Sequence, residues 1–175
     1  MLTIRHITTA SEYYSFVENL LESAFPKEEC RDKKLQRECT DNNPKFKCNL
    51  IQTTYGQPIG VITRWDFGDF IYIEHFAIDP ALRSQGYGSE ALKAFIHEQC
   101  KPLVLEAEPP TDEMTRRRIR FYERIGLTLY DYPYIQPAYT EESLPVELRL
   151  MGTIDTEATP LDRVSDTLHR EVYGA

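Results

Sequence analysis

The 175-residue sequence predicts a mixed α/β (α+β) fold: a mostly antiparallel sheet of about six or seven strands around a central β-loop-α-β unit. Three observations predict it. The β-rich runs Phe46–Thr54, Gly60–Phe67 and Phe70–Ile78 are joined by short turns, Tyr55-Gly56-Gln57-Pro58 and Gly68-Asp69, and so form an antiparallel meander. The last run leads into a glycine-containing loop and a helical segment, Gly88–Cys100, whose apolar stripe is Ala91, Leu92, Phe95 and Ile96. The short apolar strand Leu103-Val104-Leu105 follows, and the helix between them makes it parallel to Phe70–Ile78.

The remaining elements follow from local pattern. Leu2–Ile7 alternates as a first strand. Thr9 and Glu12 have capping-box spacing ahead of a helix that buries Tyr13, Phe16, Val17, Leu20, Leu21 and Ala24 and stops at Pro26. Lys27–Cys39 reads as a second, exposed helix. Thr111 is the expected N-cap of a further helix, with Met114, Phe121, Tyr122 and Ile125 on one side and Gly126 as its stop. Leu127–Asp131 and Val146–Met151 form a final strand pair around a Tyr- and Pro-rich loop, Pro133–Pro145. After Gly152 the chain turns polar. We therefore divide it into a domain of residues 1–152 and an extension, 153–175, with a short amphipathic helix over Leu161–Tyr173 as a candidate homodimer contact.

Bulk composition narrows the function classes. Hydrophobic residues make up 41% and charged residues 27%, as in ordinary globular domains, and the net charge is −8. A negative chain is a poor general nucleic-acid binder, which wants a basic face. No apolar run approaches the roughly 18 residues of a membrane span. Cys30, Cys39, Cys48 and Cys100 contain no C-x-x-C pair and no histidine cluster, so no metal is expected and reduced thiols in a cytoplasmic setting are the default.

The chemistry concentrates in Asp79-Pro80-Ala81-Leu82-Arg83-Ser84-Gln85-Gly86-Tyr87-Gly88-Ser89. A strand, a tight glycine loop and a helix N-terminus make an anion site, because free backbone N–H groups and the helix dipole face the same point. No lysine follows Gly88, so the loop is not a Walker phosphate loop. Position 91 is alanine and antiparallel strands come first, so it is a poor dinucleotide fingerprint.

Arg83-Ser84-Gln85-Gly86-Tyr87-Gly88 instead matches [Q/R]-x-x-G-x-[G/A]. It is flanked by Glu74-His75-Phe76-Ala77-Ile78-Asp79-Pro80 and by Arg120-Phe121-Tyr122-Glu123-Arg124-Ile125-Gly126-Leu127. With these neighbours the sequence resembles the GNAT superfamily of N-acetyltransferases, over roughly Leu2 to Met151. The resemblance implies acetyl-CoA as cosubstrate. The pyrophosphate would lie on amides of Ser84, Gln85, Gly86, Tyr87, Gly88 and Ser89, within the motif that Arg83 opens. The pantetheine arm would bond the main chain of Phe76, Ala77 and Ile78. It also implies Tyr122 as the acid that protonates the departing thiolate. Thr115 stands where many members have asparagine, and is expected on the pantetheine; Arg118 stands where many have alanine.

A carboxylate in an apolar strand lines a cavity or is paired. Glu74 does this within Phe70–Ile78, on a face expected to include Tyr72, Phe76 and Ile78, with His75 turned to the other side. Glu106 ends the neighbouring strand. Either can serve as the base that takes the amine proton, or form an ion pair with an arginine. Tyr130, Tyr132, Tyr134 and Tyr139 offer an aromatic wall suited to a small-molecule amine, though they equally suit ordinary loop packing. The expected function is direct acetyl transfer to a primary amine of a small molecule or peptide. The alternative is a silent acyl-CoA-binding module.

Overall fold

The computed structural model describes residues 1–175. Eight strands form one sheet: β1 (Leu2–Ile7), β2 (Phe46–Thr53), β3 (Pro58–Asp66), β4 (Ile71–Ile78), β5 (Leu103–Ala107), β6 (Thr128–Leu129), β7 (Tyr134–Gln136) and β8 (Val146–Gly152). Their order is β1-β2-β3-β4-β5-β8-β6, with β7 also on β8. β4 and β5 are the one parallel pair, as a right-handed βαβ unit requires, and every other pairing is antiparallel. The eighth strand is β7, three residues long, within the segment expected to be loop. Leu127–Asp131 contributes only the two residues of β6.

Five α-helices cover the sheet: α1 (Tyr14–Ala24), α2 (Lys33–Asn42), α3 (Tyr87–Glu98), α4 (Glu113–Ile125) and α5 (Leu161–Leu168). Two apolar cores result. Val17, Leu20 and Leu21 of α1 pack with Val164 and Leu168 of α5 on one face, and Ala91, Leu92 and Phe95 of α3 with Ile119 of α4 on the other.

Local capping differs from the sequence expectation in three places. Thr9 does not cap α1; its amide and hydroxyl bond Asp41 at the end of α2, which ties the two ends together. Lys27–Cys39 is not one helix. A 3₁₀ turn at Lys27–Glu29 is followed by extended backbone, and α2 starts after Asp32, whose carboxylate accepts from the Leu35 amide. Asp112, not Thr111, caps α4 in a reciprocal capping box with Thr115.

The β3–β4 register slips once. Thr63 faces His75 and Arg64 faces Ile73, so Glu74 is an extra residue bulged out of the ladder. The bulge inverts the alternation beyond it. Ile71 and Ile73 lie in the α3 core and Tyr72 in the α1 core, yet Ala77 returns to the α1 core and Ile78 to the α3 core. Glu74 and His75 therefore sit together on the α1 face, with Phe76 and Ile78 on the other. The expectation that Glu74 shares a face with Phe76 and Ile78, opposite to His75, assumed an unbroken period of two.

Residues 153–175 are not an appendage. Ile154, Val164, Leu168 and Val172 are all buried in the α1-side core, and α5 continues as a π-helical turn, His169–Tyr173. A chain cut after Gly152 is therefore expected to lose cooperative thermal unfolding. Leu168→Ala, at a fully buried position, should cost about 2–5 kcal/mol in urea denaturation.

Candidate active site

Parallel pairing of β4 with β5 runs through Ile71–Leu103, Tyr72–Val104 and Ile73–Leu105, and then stops. The next step would set Glu74 opposite Glu106. From there β5 keeps only β8 as a partner, with Glu106 opposite Leu150, and a gap opens beside β4. The Asp79 amide donates to the Ile59 carbonyl of β3 at 2.8 Å. Alternation then turns the main-chain polar groups of Phe76 and Ile78 toward the gap. Those of Ala77 turn toward β3, and Ala77 meets the gap only with its methyl group.

A cleft of about 560 Å³ fills this gap. Glu74, His75, Phe76, Ala77 and Ile78 line it from β4, Glu106 from β5 and Tyr122 from α4. It runs into a second cavity of about 740 Å³ over the glycine loop. Ile78, Arg83, Gly88, Arg118 and Phe121 line both, so the two are one continuous groove.

The loop's geometry fits an anion. Ser84 and Gly86 take left-handed φ of 63° and 85°, and Gly86 is the N-cap of α3. No amide from Ser84 to Ser89 donates to an acceptor within the protein. Free N–H groups at a helix N-terminus are the donors a phosphate needs. A Cβ at Gly88 would meet nothing nearer than 3.7 Å, so the protein itself does not require glycine there; a side chain would instead fill the groove. Arg83 donates through Nε to the Ile78 carbonyl at 3.2 Å. Arg117, Arg118, Arg120 and Arg124 of α4 complete the basic rim. Arg118 is paired with Glu108 and Arg120 with Glu113, whereas Arg117 and Arg124 make no ion pair. Gln85 and Tyr87 line neither cavity with their side chains; only their amides bear on the site.

Thr115 does not reach the groove. Its hydroxyl is held at Asp112 by the capping box, and it lines neither cavity. The side chain standing there instead is Arg118, one turn further along α4.

The two carboxylates have different surroundings. Glu106 is enclosed by tyrosines: the Tyr134 hydroxyl donates to it, and the Tyr173 hydroxyl lies 2.9 Å from both its oxygens and 3.2 Å from that of Tyr72. Burial pushes its carboxyl up to about 7, against the opposing pull of these hydroxyls, and the charge of Glu74 adds to the rise. No cation lies within ion-pair reach. Glu74 has no exposed side-chain surface but is fully partnered. Arg31 grips both its oxygens, Trp65 Nε1 donates at 3.2 Å and Tyr139 at 2.8 Å. Burial, the largest single influence, would raise its carboxyl; the charges of Arg31 and His75 and the hydrogen bonds from Arg31 and Tyr139 together outweigh it and hold the group below its ordinary value.

His75 donates from Nε2 to the Glu29 carbonyl at 2.8 Å, and burial lowers its affinity for a proton. Burial also raises the Tyr122 phenol, and its hydroxyl has no partner in the protein, so the proton is available to a ligand.

Of the four tyrosines expected to wall the acceptor, only Tyr134 and Tyr139 reach the carboxylates. Tyr130 is a structural pin on Ile154, and Tyr132 bonds Asp162. Sequence reasoning missed Arg31 and Tyr173. Arg31 lies in the extended break before α2, within a charged run that reads as solvated helix. Tyr173 lies 67 residues from Glu106, and no local pattern links them.

These features define a groove with free loop amides at one end and buried carboxylates at the other, and comparison with known proteins gives the family. Residues 13–127, well over half of the chain, match the model of the acetyltransferase (GNAT) family. The chain belongs to that family and is an acyltransferase. A GNAT-family acetyltransferase structure from Bacteroides thetaiotaomicron is 41% identical, with 99% of each chain covered and a TM-score of 0.94. At 18% identity and a TM-score of 0.61, the Escherichia coli ribosomal-protein-S18-alanine N-acetyltransferase shares the fold over 87% of this chain and 92% of its own. So does Vibrio cholerae spermidine N-acetyltransferase, solved with CoA and spermine, at 11% identity, a TM-score of 0.64 and coverage of 86% and 94%. No curated protein sequence matches the chain.

Removing Arg31 leaves a buried, unpaired carboxylate. Arg31→Ala is expected to lower unfolding free energy by about 3–5 kcal/mol, and adding Glu74→Gln should recover a large part of that in the same denaturation experiment.

Proposed function

We propose that this enzyme moves an acetyl group from acetyl-CoA directly to a primary amine of a small, cationic molecule. One observation carries the reading. A single groove joins unpaired loop amides to a partner-free phenol on α4 and to a buried carboxylate that is half-ionised near neutral pH.

Acetyl-CoA supplies an activated acyl thioester. The amides of Ser84–Ser89, with Arg83, Arg117 and Arg124 at the rim, bind its pyrophosphate. Main-chain groups of Phe76 and Ile78 hold the pantetheine arm as an added strand would be held. Glu106 takes a proton from the bound ammonium and so frees the nitrogen lone pair, which attacks the thioester carbon. Tyr122 gives its proton to sulfur as the C–S bond breaks, the second nitrogen proton leaves to solvent, and solvent exchange restores Glu106 and Tyr122. A base works best with a pKa near the working pH, which favours Glu106 over Glu74. Glu74, held ionised by Arg31, positions the loop through Tyr139. On the acceptor side Glu29 and Glu106 line the cleft and neither is held in an ion pair, which suits an ammonium. That the spermidine enzyme shares this fold supports a small amine as the acceptor class.

The test is thiol release from acetyl-CoA over an amine panel. Tyr122→Phe should lower kcat about a hundred- to ten-thousand-fold with acetyl-CoA binding retained. Thiol release that is absent from wild type on every amine, with acetyl-CoA still bound, would favour a silent binding module.

The pH dependence follows from Glu106. Only the ionised form accepts a proton, so kcat/KM should rise with pH through about 7, and Glu106→Gln should remove that limb. Its effect on stability has the opposite sense. The folded state binds the proton more tightly than the ordinary value of 4.5, so this contribution falls as pH rises from 4.5 to about 7. Glu106→Gln should remove this fall from a series of melting curves. Gly88→Val should weaken acetyl-CoA binding at least about tenfold in calorimetry while leaving the melting temperature little changed.

A further inference from the structure

Arg31 stands in surroundings normally built for a ligand. Its side chain is 8% exposed. Its guanidinium carbon lies 5.8 Å from the Phe46 ring centre, 5.4 Å from Trp65 and 5.1 Å from Tyr139. Three aromatic faces and one carboxylate, Glu74, are the chemistry that captures an organic cation. Here a side chain of the protein occupies that cage. It is fixed there by both oxygens of Glu74 and by the Gln36 amide oxygen at 3.1 Å.

Two carboxylates face the acceptor end of the cleft from adjacent strands, at neighbouring register positions and on the same face. Unoccupied, they would make a site for two positive charges on one acceptor. Arg31 cancels one of them. Given the amine acetyltransferase reading above, on which this step rests, we infer that Arg31 is a built-in counter-cation that sets acceptor specificity. It holds the place beside Glu74 that a second ammonium would take, and so restricts the acceptor to one carrying a single positive charge, received at Glu106. Arg31 touches neither the reacting nitrogen nor the thioester; it selects by occupying Glu74.

Pentylamine and cadaverine, the same chain with a second terminal amine, are matched probes. Wild type should prefer pentylamine in kcat/KM. Arg31→Gln frees Glu74, and should shift the ratio toward cadaverine by roughly tenfold or more, the scale of one charge-assisted contact. Cadaverine, and not pentylamine, should also raise the melting temperature of Arg31→Gln, because a ligand that binds only the folded state stabilises it. In Arg31→Gln/Glu74→Gln no carboxylate is freed. That variant should keep the wild-type preference, whatever its turnover. A gain of cadaverine use in the double variant would mean that Arg31 acts only by repulsion, and would overturn the inference.

A wild type that prefers cadaverine, or a ratio unmoved in Arg31→Gln, would overturn it too. Should Arg31→Gln not fold, the wild-type ratio and the double variant still decide. Turnover absent with every amine would sink the proposed function instead, and the cadaverine-dependent melting shift of Arg31→Gln would then test the cage alone.

Discussion

The parallel pairing of β4 with β5 ends at Ile73 and Leu105, and the chemistry of the molecule is arranged around that ending. Up to this point two strands share hydrogen bonds and their side chains are core. Beyond it β4 keeps only β3 and β5 only β8, and the space between becomes the cleft. Both carboxylates sit at the first step where pairing fails. A charged group is tolerable there because the strands no longer press on it from both sides. It is perturbed there because water is still largely excluded.

The same location produces two different carboxylates. Glu74 meets a guanidinium and stays ionised; Glu106 meets only phenols and titrates near neutrality. The difference lies in what the covering elements bring. The break between α1 and α2 brings Arg31 over β4. β7 and the turn after α5 bring Tyr134 and Tyr173 over β5. Tyr139 and Tyr173 meet edge-on, with ring centres 4.8 Å apart, and link the two halves. Much of what surrounds the carboxylates thus comes from outside the β4-loop-α3-β5 unit that builds the glycine-loop end of the groove.

The fold was legible where structure is local and periodic. The meander, the parallel strand after α3, the glycine loop and the Gly126 stop of α4 all follow from residue types at short spacing. The groove was legible through its loop, since glycines at Gly86 and Gly88 next to a helix start have a backbone meaning. What escaped were tertiary facts. Arg31 sits in a sequence indistinguishable from a solvated helix. β7 is three residues in a run broken by prolines. The α5 segment looks polar because its buried apolar positions, Val164, Leu168 and Val172, are few, and the other inward residues, Ser165 and Tyr173, carry hydroxyls. Thr115 has the composition of a ligand-binding residue, but a free helix end lay closer to its hydroxyl than the groove did.

The bulge at Glu74 has a consequence for how this strand can change. It behaves as a frame shift in a two-letter code: everything after it is read on the opposite face. No substitution at position 74 corrects or recreates it, because side-chain identity does not count residues. Removing Glu74 would restore perfect alternation with Phe76 and Ile78 still in the α3 core and Ala77 still in the α1 core. The extra residue therefore does nothing for packing; what it adds is a second side chain, the carboxylate, beside His75 on one face. Segments exchanged between this chain and its relatives keep that carboxylate only if they carry the bulge with them.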